Sequence, residues 1–332
     1  MSIANWFRET WTKLRRLGQK SEPKPDRAPS RRRERRTYQL AELHGGGAQV
    51  RDFFAFVRER YSILLRRRSG QPGPWTHDPV LAKYRFCNVF REDDKTTMWF
   101  REHVREPLAQ AADMRVLMAT VIFRWFNRIA TGKVLLEYNL FADWNASRAR
   151  DVLKDLHPLI TGAYVIRTPA GMNKLEGLIS LISPMWDDRQ KLYSEINGQT
   201  LENSCVVLQN RPGLGSFMAY EIVTDLRHTQ LLSGASDVMS WANPGPGAAR
   251  GLGLVLFGDA EEFSYSAQQD GEKLQRGMRH LLALAQGSEY WPAQWPSWEM
   301  REVEHSLCEF AKYCGAKEGR KLKQRFDQGP RG

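Results

Sequence analysis

The sequence predicts a mainly α protein, and three observations carry that prediction. Apolar residues recur at three- and four-residue spacing along most of the chain, as in "VRDFFAFVRERYSILLRR" (residues 50–67) and "MRVLMATVIFRWFNRIA" (114–130). That is the period of a helix with a buried face. Gly and Pro punctuate these runs, as in "SGQPGPWTHDP" (69–79), and both residues end helices. Alternating stretches are scarce: "AYVIRT" (163–168) and "GLGLVLFG" (251–258) are the best short strand candidates.

Taken in order, residues 1–18 place Ile3, Phe7, Trp11, Leu14 and Leu17 on one helical stripe, with Arg8, Lys13, Arg15 and Arg16 elsewhere on the wheel. This is a short basic amphipathic helix, suited to a partner protein, a membrane surface or the body itself. Residues 19–39 form a basic linker. "PKPDRAPSRRRERR" (23–36) is Pro-rich, charged and almost free of apolar side chains, so disorder is expected there. Residues 1–36 hold twelve Lys or Arg against four Asp or Glu, eight of the eleven net positive charges in the chain. Such an arm adds salt-sensitive, sequence-independent affinity for a polyanion, with nucleic acid foremost; a solubilising linker is the plainer reading.

The body spans 40–315. After the helix at 50–67, the segments "YRFCNVFREDDKTTMWFREHV" (84–104), 114–130 and "ASRARDVLKDLHPLI" (146–160) all read as helical by spacing. A basic tail, 316–332, closes the chain. No internal repeat, no apolar run long enough to span a membrane and no signal-peptide core occurs, so a cytoplasmic protein is expected. The four cysteines are too sparse for a disulfide framework. Cys308 and Cys314 lack nearby partners for a zinc site, so no metal is expected.

The stretch "NRPGLGSFMAYEI" (210–222) is the sharpest local signal. Thr200 is an N-cap for a helix ending near Asn210. Pro212, Gly213 and Gly215 make a tight turn, and Ala219, Ile222, Val223 and Leu226 give the next helix a buried stripe. The result, near 200–227, looks like a helix-hairpin-helix element. Its turn serves either as a plain αα-hairpin or as a set of backbone N–H groups able to approach a DNA phosphate. Arg211, Gly213, Gly215 and Ser216 are then the candidate DNA contacts.

Downstream, Asp237 lies 22 residues beyond Gly215. Together with Ala219, that arrangement is similar to the helix-hairpin-helix DNA glycosylases, whose catalytic Asp follows the hairpin by about that distance and which flip a base from the duplex. The resemblance implies a glycosylase-like helical fold. No Lys lies between Lys191 and Lys273, which disfavours lyase chemistry, and the four-Cys iron–sulfur loop of some of those enzymes is missing.

Six blocks in register extend the resemblance over residues 50–315: "YRFCNVFREDDKTT", "FRWFNR", "GAYVI", the hairpin, "WANPGPGAARGL" and "EHSLCEFAKY". They resemble the glycosylase-related family of viral, bacteriophage-type DNA hypermodification. Its members are the alpha-glutamyl/putrescinyl thymine pyrophosphorylases (amino acid:DNA transferases) and the helical domain of 5-hydroxymethyluracil DNA kinases. No GxxxxGK[ST] phosphate loop occurs in these 332 residues, which favours the transferase branch. That resemblance implies double-stranded DNA carrying pyrophosphorylated 5-hydroxymethyluracil as substrate and an amino acid or polyamine as amine donor. It implies no other cofactor, and a functional link to a 5-hydroxymethyluracil DNA kinase. The alternatives are a glycosylase acting on a modified base and a non-catalytic DNA-binding module.

In the transferase reading Asp237 is the catalytic carboxylate, and Asp237→Asn abolishes product while binding survives; its plainer role is an N-cap of the next helix, before "VMSWA". Asn88 and Arg91 stand three apart, as do Arg124 and Asn127. Each pair is either a tie between helices or the lining of a pyrophosphate or base pocket. Tyr164 and Trp241 are candidates to stack on the base, and Arg250, after the "NPGPGA" turn, to hold an anion. His305 in "EHSLCEF" reads as a satisfied structural histidine.

Overall fold

The computed structural model describes residues 47–109, 114–162, 165–265, 268–323 and 325. The predicted amphipathic helix at 1–18, the linker at 19–39, Tyr164 and, in the basic tail, residues 324 and 326–332 lie outside these residues. All described residues belong to one compact unit, 45–332.

The helices run α1 (Ala48–Arg68), α2 (Pro79–Lys83), α3 (Lys95–Phe100), α4 (Glu106–Ala109), α5 (Met114–Phe126), α6 (Ile129–Glu137), α7 (Ala146–Leu153), α8 (Lys174–Asp187), α9 (Arg189–Ile196), α10 (Leu201–Gln209), α11 (Ser216–Leu226), α12 (Pro246–Phe257), α13 (Gln268–Ala285) and α14 (Met300–Lys317). The mainly α prediction holds, and the described residues contain no strand; an isolated bridge joins Tyr84 and Arg325. No helix among them is long and apolar enough to cross a membrane.

Helix α5 is apolar around its whole circumference, and Val116 to Phe126 are all buried. Such a helix belongs in the middle of a protein. Helices α8, α9 and α11 pack on it. A second layer pairs α12 with α14 and adds α1, whose Phe53 and Phe54 meet Trp298 and Phe310 of the α14 region edge-on or tilted.

Two sequence expectations are corrected. "GLGLVLFG" lies in α12, not in a strand. Its Gly251 is there for contact: a Cβ would fall 2.1 Å from the Leu307 carbonyl oxygen of α14, so only Gly allows the two backbones this close. Helix α12 is also started by Pro246 and stopped by Gly258 at φ +70°, both standard helix punctuation.

The segment 84–104 is not one helix either. Tyr84 to Phe90 carry no helical turn, a 3₁₀ turn covers Arg91–Asp93, and only then does α3 begin. Asn88 and Arg91 therefore do not share a helical face. Five of the seven residues from Tyr84 to Phe90 are aromatic, β-branched or Asn, residues with only middling helix propensity, and the segment is pinned by long-range bonds described below.

Candidate nucleic-acid interface

The hairpin forms as the spacing predicts. Thr200 Oγ1 accepts from the Asn203 amide at 3.1 Å and starts α10. The turn closes through Arg211 N–H to the Leu208 carbonyl (2.9 Å) and Leu214 N–H to the Arg211 carbonyl (3.2 Å). Gly213 has φ +79°, and a Cβ there would stand 2.9 Å from Leu181 and 3.1 Å from Trp125. Both backbone and space demand glycine. Ala219, Ile222, Val223 and Leu226 are fully buried, as the stripe requires.

Helix α11 starts at Gly215 with no side-chain cap, and α12 starts at Gly245 in the same way. Asn243 links the two starts, its Nδ2 donating to the Ser216 carbonyl at 3.0 Å and to Ser216 Oγ at 3.1 Å. Sequence reasoning missed Asn243, because a bridge across 27 residues leaves no periodic signal. Phe217, 53 % exposed at the head of α11, was also missed; its place outside the buried stripe was the available sign.

The other predicted side chains have partners of their own. Arg211 pairs with Asp188 at 2.8 Å and with Glu195, which fastens the turn to the α8–α9 region. Trp241 packs edge-on against Tyr220, ring centroids 5.5 Å apart. Arg250 is exposed on α12, 3.7 Å from Glu261. The two Asp237 oxygens accept from the amides of Leu201 (2.8 Å) and Glu202 (2.9 Å), so this carboxylate caps α10 across the fold. An amide in its place keeps one acceptor and turns a donor toward the second N–H. The capping geometry thus predicts that Asp237→Asn costs about 1 kcal/mol and lowers the melting temperature by roughly 2–4 °C. Thermal melts beside product assays check this. Loss of product at an unchanged melting temperature would assign the carboxylate to the chemistry rather than to the cap.

Arg91, Arg124 and Asn127 meet in the interior. The fully buried Asp225 of α11 receives Arg124 (Nη2 to Oδ1, 2.7 Å, with a second bond from Nε), Arg105 at 3.6 Å and Arg91 at 3.7 Å. Arg91 also pairs with Glu221 at 2.5 Å and donates to Thr224 Oγ1 at 3.0 Å. Arg124 further donates to Asn127 Oδ1 (2.7 Å) and Thr97 Oγ1 (3.1 Å). Arg301 continues the chain to Glu221 and Glu304, both at 2.9 Å, and Glu92 pairs with Arg105. Four arginines thus face four carboxylates. Burial pushes the Asp225 carboxyl up, yet Arg124 and then Arg91 outweigh it and hold it below the usual carboxylate range. This is the tie between helices, one of the two readings open for these residues.

Asn88 alone of that set lines open space. A groove of about 920 Å³ runs between the end of α1, α3 and α6, large enough for a nucleotide-sized ligand. Its floor is apolar (Leu64, Met98, Trp99, Ile129, Ala130), and four cations stand around it: Arg67, Arg68, Lys95 and Lys133. Arg68 is matched by Asp93 at 2.8 Å, and Arg67 lies over the Trp75 ring at 5.2 Å. Lys95 and Lys133 are exposed. Glu102 adds a second carboxylate.

The geometry defines a helical body that carries a tight hairpin and a basic-rimmed groove. The comparison with protein families makes the assignment: residues 48–322 match the model described as "5-hmdU DNA kinase, helical domain", and the chain belongs to that family. It is 29% identical over 228 residues to a 5-hmdU DNA kinase of Bacillus phage SP10, an alignment covering 61% of this chain and 36% of that protein. The chain thus spans about a third of the length of the curated relative it matches. No solved structure matches. Of the two branches that the sequence resembles, the kinase helical domain is therefore the supported one. The missing phosphate loop does not separate the branches, since the matched region is by its description a helical domain.

Proposed function

We propose that this chain acts in thymidine hypermodification, engaging DNA through the hairpin and holding a 5-substituted uracil in the groove between α1, α3 and α6. Membership of the 5-hmdU DNA kinase helical family across residues 48–322 carries this reading. The groove supports it chemically: the apolar floor suits a base, and Lys95 and Lys133 suit its phosphate groups.

One reaction that fits this groove is transfer of an amine to 5-pyrophosphoryloxymethyl-uracil. The methylene–oxygen bond breaks and its electron pair leaves with pyrophosphate. The amine lone pair forms the new carbon–nitrogen bond, and the ammonium proton passes to a carboxylate. Lys95 and Lys133 would neutralise the leaving group, and Asp93 or Glu102 would accept the proton. The kinase named among the relatives favours a second reading, in which this body presents 5-hydroxymethyluracil to a phosphorylating centre.

Nucleoside mass spectrometry tests both. The protein is incubated with DNA bearing either base, with ATP and with a mixture of amino acids and polyamines. An amine adduct supports the transferase; a phosphorylated hydroxymethyluracil supports the second reading. Release of free base with abasic DNA would make the protein a glycosylase and overturn both.

A further inference from the structure

The sequence leaves His305 as an ordinary structural histidine, but its Nε2 is buried and has no hydrogen-bond partner. An imidazole nitrogen in that position needs a ligand or pays for its desolvation. Cys87 and Asp94 supply a reason. Each of the three side chains offers one ligand atom, and these atoms lie within 4.8 Å of one another. We propose that Cys87, Asp94 and His305 bind one divalent transition-metal ion of the zinc class.

The donor set is one thiolate, one imidazole and one carboxylate, which suits zinc over magnesium or calcium. Around such an ion the ligand atoms stand roughly 3.5 Å apart, so shifts of about 1 Å close the site. A thiolate and a carboxylate also balance a 2+ ion. Three protein ligands leave the fourth tetrahedral position for water or a substrate oxygen.

The surroundings hold the ligands as metal sites do. Arg60 Nη2 donates to the carbonyls of Phe86 (2.9 Å) and Cys87 (3.0 Å), and the Cys87 amide donates to Glu309 Oε2 at 3.1 Å. These bonds fix the irregular segment before α3 against α1 and α14. Asn88 Nδ2 donates to Asp94 Oδ1 at 3.1 Å. A cavity of about 10 Å³ is lined by two of the three, Cys87 and His305, with Asn88 and Glu309 among its other walls, room for about one water-sized occupant. Asn88 lines both this cavity and the large groove.

The site is tested without DNA. The full chain is stripped with EDTA and titrated with Co²⁺ under reducing conditions. The expected result is one Co²⁺ per chain with a near-ultraviolet thiolate-to-cobalt charge-transfer band. Cys87→Ser should abolish the band, Asp94→Asn should weaken binding tenfold or more, and Cys314→Ser should change neither. Circular dichroism confirms that each variant is folded. Absence of Co²⁺ binding, or a charge-transfer band that survives in folded Cys87→Ser, overturns the proposal.

Discussion

Replacing Asp225 with alanine is expected to lower the melting temperature of this protein by on the order of 10 °C. The carboxylate is wholly buried and faces Arg91, Arg105 and Arg124. Removing it leaves Arg124 without a carboxylate and takes a second one from Arg91 and Arg105, which keep Glu221 and Glu92. Breaking a buried pair by deleting one partner costs about 3–5 kcal/mol, because the remaining charge is uncompensated. Asp225→Asn keeps the volume but loses the charge and turns a donor toward one of the Arg124 N–H groups, so it should fall nearly as far. The pH dependence separates electrostatics from packing. The folded carboxyl titrates below its ordinary value despite burial. Its contribution is therefore complete above about pH 4, the ordinary Asp value, and is lost as pH falls through the depressed folded value. The gap between native protein and Asp225→Asn should be full at pH 7 and narrow below pH 4. Calorimetric melts at both pH values check this, and a loss of under 2 °C at pH 7 would refute the account.

The network shows which parts of this molecule were readable in its sequence. Helix α1 and the hairpin pair α10–α11 were legible because their signals are local: a 3–4 apolar period, Thr200 as a cap, and glycine where φ is positive. Arg124 and Asn127 were recognised as neighbours on one helix, which they nearly are; Asn127 in fact ends α5, with its own φ at +43°. Their partner Asp225 stands about a hundred residues away. In sequence it is one more polar residue in "EIVTDL". The same limit applies to Asp237, whose capping partners begin a helix 36 residues earlier, and to His305, whose neighbours Cys87 and Asp94 come from the far end of the body. Glycines were ambiguous for a different reason. "GLGLVLFG" has strand-like spacing, and only the α14 backbone against Gly251 reveals that close helix packing is the cause.

The groove was illegible in the same way, being assembled from the ends of three helices, and it bears the larger functional prediction. Lys95→Ala/Lys133→Ala is expected to weaken DNA binding by on the order of 50-fold at 0.1 M salt while leaving the fold intact. Each lysine that neutralises a phosphate releases a counterion, so log affinity falls with log salt at a slope of about −0.9 per contact. Losing two contacts should flatten that slope by roughly 2. Both lysines are exposed, and substitutions of this kind usually change stability by no more than about 0.5 kcal/mol. A melting temperature near that of the native protein would therefore accompany the loss. Arg68→Ala is the internal control, because its charge is matched by Asp93 at 2.8 Å, and it should flatten the slope by less than one lysine does. The measurement is a salt series of fluorescence-anisotropy titrations on one duplex containing a single 5-substituted uracil. An unchanged slope in the double variant would remove the groove from the DNA interface and leave the hairpin and the N-terminal arm as the surfaces that meet the phosphates.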